Sequence, residues 1–216
     1  MTLLDSGTWH GKIYSDGWVT ADGGDAAVRE PATGDEIGRT GIASPADVAR
    51  AAARAAQAQR DWAATPYDKR AAVLRRAGLL WEEHAAEVGD WIVRETGSVP
   101  PKATLETDTA AQECYEAAAL ASHPLGEIIQ SAQPRLSLAR RLPVGVVGVI
   151  SPFNVPIILG VRSVAPALAL GNAVLLKPDP RTAVTGGVAI ARIFEEAGLP
   201  PGCCTYCRAG RRRARR

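Results

Sequence analysis

Residues 143–150, PVGVVGVI, form a nearly all-apolar, β-branched run, and residues 173–177, AVLLK, form a second. Runs of this kind need cover on both faces, so they read as neighbouring strands of a buried parallel sheet. Between them SPFNVP (151–156) cannot extend a strand and works as a turn. IILGVRSVAPALAL then reads as a helix that Pro166 kinks or restarts. Gly171-Asn172 ends that helix as a left-handed cap, and Pro178-Asp179-Pro180 breaks the second strand. Residues 181–197 read as another helix, closed by Gly198 and Pro200. The order β-α-β-α predicts adjacent parallel strands and a right-handed crossover, an α/β fold. Positions 144–176 hold one charge, Arg162, yet prolines and Gly171-Asn172 break the stretch. No run reaches the roughly 18 apolar residues of a membrane span, so a soluble protein with no membrane partner is expected.

The first 123 residues have a different grammar. GKIYSDGWV (11–19) reads as two short strands around Ser15-Asp16-Gly17, and Pro31-Ala32-Thr33-Gly34 as a further turn. Ser44 caps a helix, with Pro45 at its first position and Asp47 three residues after the cap. Thr65-Pro66-Tyr67-Asp68 opens a second helix with Val73, Leu74, Leu79, Leu80 and Trp81 on its apolar face. A third covers about 105–122. His84 in EEHAAE lacks the second histidine four residues away that a helical zinc site needs, and reads as part of a solvated face. Residues 124–142 read as a loop and extended segment.

Charge and cysteine are concentrated at one end. Six arginines and three of the four cysteines (Cys203, Cys204, Cys207) lie within PPGCCTYCRAGRRRARR (200–216). Residues 1–202 hold 19 basic against 23 acidic groups, so the body is mildly acidic and offers nucleic acid nothing. Its single cysteine, Cys114, excludes an internal disulfide and suits the reducing cytoplasm. The start, MTLLDSGTWHGK, lacks a signal-peptide pattern. A metal clip and a basic nucleic-acid arm are the two functional readings of the tail. The cysteines lack the second pair that a zinc site needs.

Ligands of open α/β sheets bind beyond the carboxyl ends of the strands. Those ends carry Ser151–Asn154 and Lys177–Asp179, on strands about 5 Å apart. Asn154 offers a neutral amide donor, and Lys177 a cation for a ribose or phosphate. An Asn in a Pro-flanked turn also bonds its own backbone, and a Lys at a strand end is also simply solvated. No GxGxxG follows the first strand.

The stretch PVGVVGVISPFNVPIILGVRSVAPALALGNAVLLKPDP resembles the cofactor-domain signature of the aldehyde dehydrogenases. The elements are a Pro-x-Gly strand, Pro-aromatic-Asn-x-Pro, Pro-Ala-Leu-Ala-x-Gly-Asn, and a strand ending in Lys-Pro. The resemblance runs from about Trp9 to Gly202 and is closest to the NAD-dependent benzaldehyde dehydrogenases. It implies a Rossmann-like parallel-sheet cofactor domain, oxidation of an aromatic aldehyde to its acid, and NAD or NADP as cofactor, with NAD favoured. Asn154 is then the catalytic donor to the oxyanion, and Lys177 binds the adenosine ribose. Ile150, Ser151, Pro152 and Phe153 line the cofactor cleft, with Pro178, Asp179 and Pro180 beside Lys177. Many members carry Glu where this chain has Pro180, which loosens the preference for NAD. No metal site is implied. Residues 1–123 become the amino-terminal part of the cofactor domain, 143–202 its βαβα core, and 124–142 part of an oligomerisation region, so a homo-oligomer is expected.

The family's nucleophilic cysteine, glutamate and second Gly-rich loop follow the matching region, so the sheet is expected to be incomplete and the chain inactive alone. A non-catalytic cofactor-binding or oligomer-joining module is the alternative. In the family a Val-Leu-rich strand follows Gly-Leu-Pro-x-Gly. One base placed ahead of the codons for residues 203–210 regroups them into a set that permits Val-Leu-His-Val-Leu-Pro-Gly-Gly, with both Leu obligatory. Residues 203–216 are thus expected to be an out-of-frame reading, which would corrupt a third parallel strand and leave residues 173–177 at an unpaired edge.

Overall fold

A computed structural model describes residues 2–209; the arginine-rich positions 210–216 lie outside the described residues. The chain opens with α1 (Ser6–Trp9), the hairpin β1 (Lys12–Tyr14) and β2 (Trp18–Thr20), and a second hairpin, β3 (Asp25–Arg29) and β4 (Glu36–Gly41). Four helices follow: α2 (Pro45–Ala64), α3 (Tyr67–Glu83), α4 (Ala85–Thr96) and α5 (Pro100–Leu120). A two-stranded arm, β5 (Gly126–Ile129) and β6 (Ser137–Arg140), leads into β7 (Val146–Ile150), α6 (Pro156–Ala169) and β8 (Ala173–Lys177). A 3-10 turn (Pro180–Thr182), a π-helical turn (Val184–Val188), α7 (Ala189–Glu196) and β9 (Cys204–Tyr206) complete the described chain.

The expected caps form. Ser44 Oγ accepts the Asp47 N–H at 3.1 Å and Asp47 Oδ2 accepts the Ser44 N–H at 2.8 Å, a reciprocal capping box. Gly171, at φ +86°, turns the chain out of α6, and the Asn172 N–H returns to the Ala167 carbonyl at 3.0 Å. Pro166 sits inside α6 without ending it. Three elements depart from expectation. The second helix stops at Glu83 and restarts after His84 as α4. The third begins at Pro100 rather than near 105. The helix expected over 181–197 is a 3-10 turn, a π-turn and then α7.

One mixed sheet runs in the order β2-β1-β9-β8-β7. β7 and β8 are parallel, with Val146 opposite Ala173 and Ile150 opposite Lys177, and β8 and β9 are parallel as well. The expected open edge beside β8 is therefore occupied. Cys204, Thr205 and Tyr206 are buried there, because small and β-compatible side chains satisfy a slot that needs backbone pairing on both sides. β9 also meets the hairpin strand β1, at Tyr14 opposite Tyr206. The edge strands are β2 and β7. Helix α2 packs on β7, β8 and β9, α6 on β7 and β8, and α7 on β9. Alanine positions at 0% exposure, such as Ala110 on α5 and Ala165 and Ala169 on α6, belong to the one large core that joins helices and sheet. Among the described residues no helix is long and apolar enough to cross a membrane.

Candidate cofactor and active site

The carboxyl ends of β7 and β8 are joined by more than strand pairing. The Ser151 N–H donates to the Lys177 carbonyl at 3.1 Å, which fixes the start of the 151–155 turn against the end of β8. Ser151 is buried and its hydroxyl has no hydrogen-bond partner among the described residues, whereas Ile150 is 77% exposed on the β7 edge. Pro152, Phe153 and Asn154 project from the turn as exposed residues. The Asn154 amide bonds to no described residue, so the self-capping alternative does not hold here. Lys177 is half-buried, and among the described residues its Nζ has only a 3.5 Å contact to the Pro178 carbonyl and no carboxylate partner.

Beyond β8 the chain folds tightly. Asp179 caps the 3-10 turn, accepting the Arg181 N–H at 3.0 Å, and takes the Arg181 guanidinium in a fork at 2.8 and 2.9 Å. That guanidinium lies 3.5 Å from the centroid of the Phe153 ring. The two rim segments thus touch across a cleft of about 730 Å³, lined on this side by Phe153, Asn154, Pro180, Arg181 and Thr182. Its other wall is β3 with Glu95, Thr96 and Ser98. The buried Thr182 hydroxyl faces this region without a partner. Ile150, Ser151, Pro152, Lys177, Pro178 and Asp179 lie outside that lining, around the strand ends.

A dinucleotide fits this set of groups. An unpaired amide, an ammonium without an acidic partner and two exposed apolar side chains (Ile150 and Phe153) surround adjacent strand ends, and ring systems and phosphates need those contacts. Pro180 offers a ribose no hydrogen-bonding side chain.

The cysteines are placed otherwise. Cys114 is fully buried in α5, where burial pushes its thiol up to about 12. Burial likewise pushes Cys203 and Cys207 up to about 11 and Cys204 to about 12. A thiol raised this far supplies almost no thiolate near neutrality. No group of three or more potential metal ligands occurs among the described residues.

Three charged residues behind the rim carried no sequence signal. Glu95 and Glu106 are buried carboxylates, and Arg208, 8% exposed, donates to Ala26 O at 3.1 Å, Thr40 Oγ1 at 2.6 Å and Pro180 O at 3.2 Å. Apart from Lys102, one turn before Glu106, their partners are far away in sequence and mostly backbone, so local spacing does not reveal their role.

The chain is similar to whole enzymes of more than twice its span. Vanillin dehydrogenase of Amycolatopsis sp. (strain ATCC 39116 / 75iv2) is 68% identical over 202 residues, covering 94% of this chain and 42% of that protein. Benzaldehyde dehydrogenase [NAD(+)] of Pseudomonas putida is 52% identical over 195 residues, 90% of this chain and 40% of its own length. The crystal structure of a NAD-dependent benzaldehyde dehydrogenase from Corynebacterium glutamicum superposes with a TM-score of 0.89 at 42% identity, over 92% of this chain and 45% of that one. This chain therefore spans well under half the length of these relatives. The sequence profile described as aldehyde dehydrogenase family matches residues 18–215, and the chain belongs to that family.

Proposed function

We propose that this chain is the amino-terminal, cofactor-binding portion of an NAD(P)-dependent dehydrogenase of aromatic aldehydes, and that alone it does not turn over. The observation carrying this reading is the unpaired Asn154 amide beside the unopposed Lys177, at neighbouring strand ends. Lys177 and the exposed faces of Ile150 and Phe153 would hold the dinucleotide, which when bound supplies the acceptor for hydride. Asn154 would donate its N–H to the oxygen that gains charge as the aldehyde carbon becomes tetrahedral. A fixed amide suits that task because it needs no reorganisation as charge develops. The attacking thiolate has no candidate among Cys114, Cys203, Cys204 and Cys207, all buried with raised thiols.

The similarity to dehydrogenases named for vanillin and benzaldehyde supports aromatic aldehydes as the substrate class, and the relatives named for NAD support NAD over NADP. Pro180 leaves that cofactor preference weakly enforced. The test is calorimetric titration of the 216-residue chain with NAD+ and NADP+, followed by an assay with benzaldehyde. Nucleotide binding without turnover is expected. Turnover abolished by Asn154→Ala would overturn the inactivity, and no nucleotide binding would overturn the rim assignment.

A second reading, a module that joins other dehydrogenase subunits, is favoured by the β5–β6 arm, whose Ile128 and Leu138 are 77% and 63% exposed. Co-purification with a full-length relative tests it. Residues 203–216 we propose to be an out-of-frame reading of the codons for the family's next strand. Restoring one base near codons 202–203 should open a Val-Leu-rich frame that later carries a Gly-rich loop, a Glu and a Cys. Genomic sequence in which every frame closes soon after would refute this.

A further inference from the structure

The first rim segment runs into a helix with no side-chain cap, and the second, beyond the 3-10 turn that Asp179 caps, into a π-helical turn that also lacks one. α6 starts at Pro156 without a side-chain bond from Val155, and the π-helical turn starts at Val184 without one from Ala183. Free N–H groups at a helix start need acceptors, and a nearby Ser, Thr or Asp ordinarily supplies them. Here both are satisfied from the α4–α5 pair. Glu106, at 0% exposure on α5, accepts the Ile157 N–H at 3.0 Å through Oε2, while Lys102, one turn earlier, pairs with its other oxygen. Glu95, at 2% exposure on α4, accepts the Val184 N–H at 2.8 Å through Oε1. Its Oε2 takes the Thr185 N–H and hydroxyl, both at 2.7 Å.

A local cap would fix each turn only against its own chain. A carboxylate reaching across 51 or about 90 residues fixes it against a separate layer. A buried carboxylate without donors is strongly unfavourable, and here Glu106 meets two donors and Glu95 three. We propose that Glu106 and Glu95 are positioning residues for the cofactor rim. Glu106 sets Asn154 through the first turn of α6, three residues downstream. Glu95 sets the Lys177–Pro180 corner through the π-helical turn. The inference rests on the rim reading given above. Glu106 lies outside the cleft lining, and Glu95, though on the far wall of the cleft, gives both carboxylate oxygens to the π-helical turn.

The experiment uses the whole chain with Ala, Gln and Asp at each position. Gln keeps the length and one acceptor oxygen; Asp keeps the charge but falls a methylene short of the N–H groups. Amide hydrogen exchange is followed separately over residues 151–158 and 178–188, and NAD+ affinity is measured by calorimetry. Glu106→Ala and Glu106→Asp should speed exchange over 151–158 only, and Glu95→Ala and Glu95→Asp over 178–188 only. Each should weaken NAD+ binding by roughly tenfold, Glu106 through Phe153, which shares the 151–155 turn with Asn154, and Glu95 through Lys177, as groups that orient a ligand from behind do. Glu106→Gln, whose one oxygen can keep the Ile157 N–H, should stay near the parent, whereas Glu95→Gln turns an amide donor against one of two backbone donors and should fall between the parent and Ala over 178–188. If an Ala variant fails to fold, the Gln–Asp pair still decides. Asp variants matching the parent, or rim exchange unchanged in all variants, would overturn the proposal. A parent chain that binds no nucleotide would refute the rim reading instead, and the exchange pattern would still judge the positioning.

Discussion

Asn154 and Glu95 lie near the same cleft and show two opposite uses of a polar side chain. Asn154 is exposed and unpaired, free for a ligand. When this chain is completed with the downstream sequence of a relative such as the vanillin dehydrogenase, Asn154→Ala should lower kcat by a factor corresponding to about 3–4 kcal/mol. Steady-state kinetics should show the loss in kcat, with nucleotide affinity nearly unchanged. Glu95 is buried and fully engaged, and burial pushes its carboxyl up from 4.5 to about 7 against the pull of the Val184 and Thr185 donors and Arg208. A raised folded value means that the fold prefers the protonated acid. The stability linked to this group is present below about pH 4.5 and is lost as pH rises toward 7. The difference is on the order of 3 kcal/mol. Urea unfolding at pH 5 and pH 8 should show the parent losing more stability across that interval than Glu95→Gln, and equal losses would refute the assignment. Asn154 and Lys177 were legible in the sequence because they end recognisable strands. Glu95 and Glu106 were not, since a single glutamate on a polar helix looks the same whether it meets water or a distant N–H.

Elements were legible where their causes are local. The Ser44–Asp47 box and the Gly171-Asn172 exit are complete within a few residues, and both form as their side chains dictate. The π-helical turn is different, because its shape answers a contact with β9. A Cβ placed on Gly187 would fall 2.3 Å from the Tyr206 ring, too close for either side to stay in place. Gly187→Ala should therefore cost about 1–3 kcal/mol, the usual range for overpacking a filled core. Tyr206→Val opens the ring side of that space, so in the double variant the alanine should cost less, with its 2.9 Å approach to Pro178 left. A double-mutant cycle from urea midpoints measures the coupling, and strict additivity would mean that the two sites do not share the contact. The same logic explains why β9 could not be read from CCTYC. Its side chains are unremarkable for a strand, and only the slot between β1 and β8 makes them one.

At the scale of the whole molecule, apolar exposure is concentrated along one stretch of chain. Leu125, Ile128, Ile129, Leu136, Leu138, Leu142, Val144, Ile150 and Phe153 all exceed 40% exposure, on or near the β5–β6 arm and β7. β7 is one of the sheet's two edge strands, β2 being the other, and at β7 open backbone groups and apolar side chains coincide. Such an edge invites a further strand. In relatives more than twice as long, other chain is available to meet it. The 216-residue chain by itself should consequently self-associate, through the arm and the β7 edge rather than through β8, which β9 covers. Replacing Ile128 and Leu138 by Lys places charge on opposite partners of the arm without touching the core, since the two residues face each other in the β5–β6 register. Light scattering after size exclusion should show the parent as oligomer or aggregate and the double variant shifted toward monomer. Thermal unfolding of the two should agree to within about 1 kcal/mol, the scale of exposed substitutions. A monomeric parent would mean that the chain covers this surface by itself, and an unshifted double variant would move the contact from the arm to the β7 edge alone.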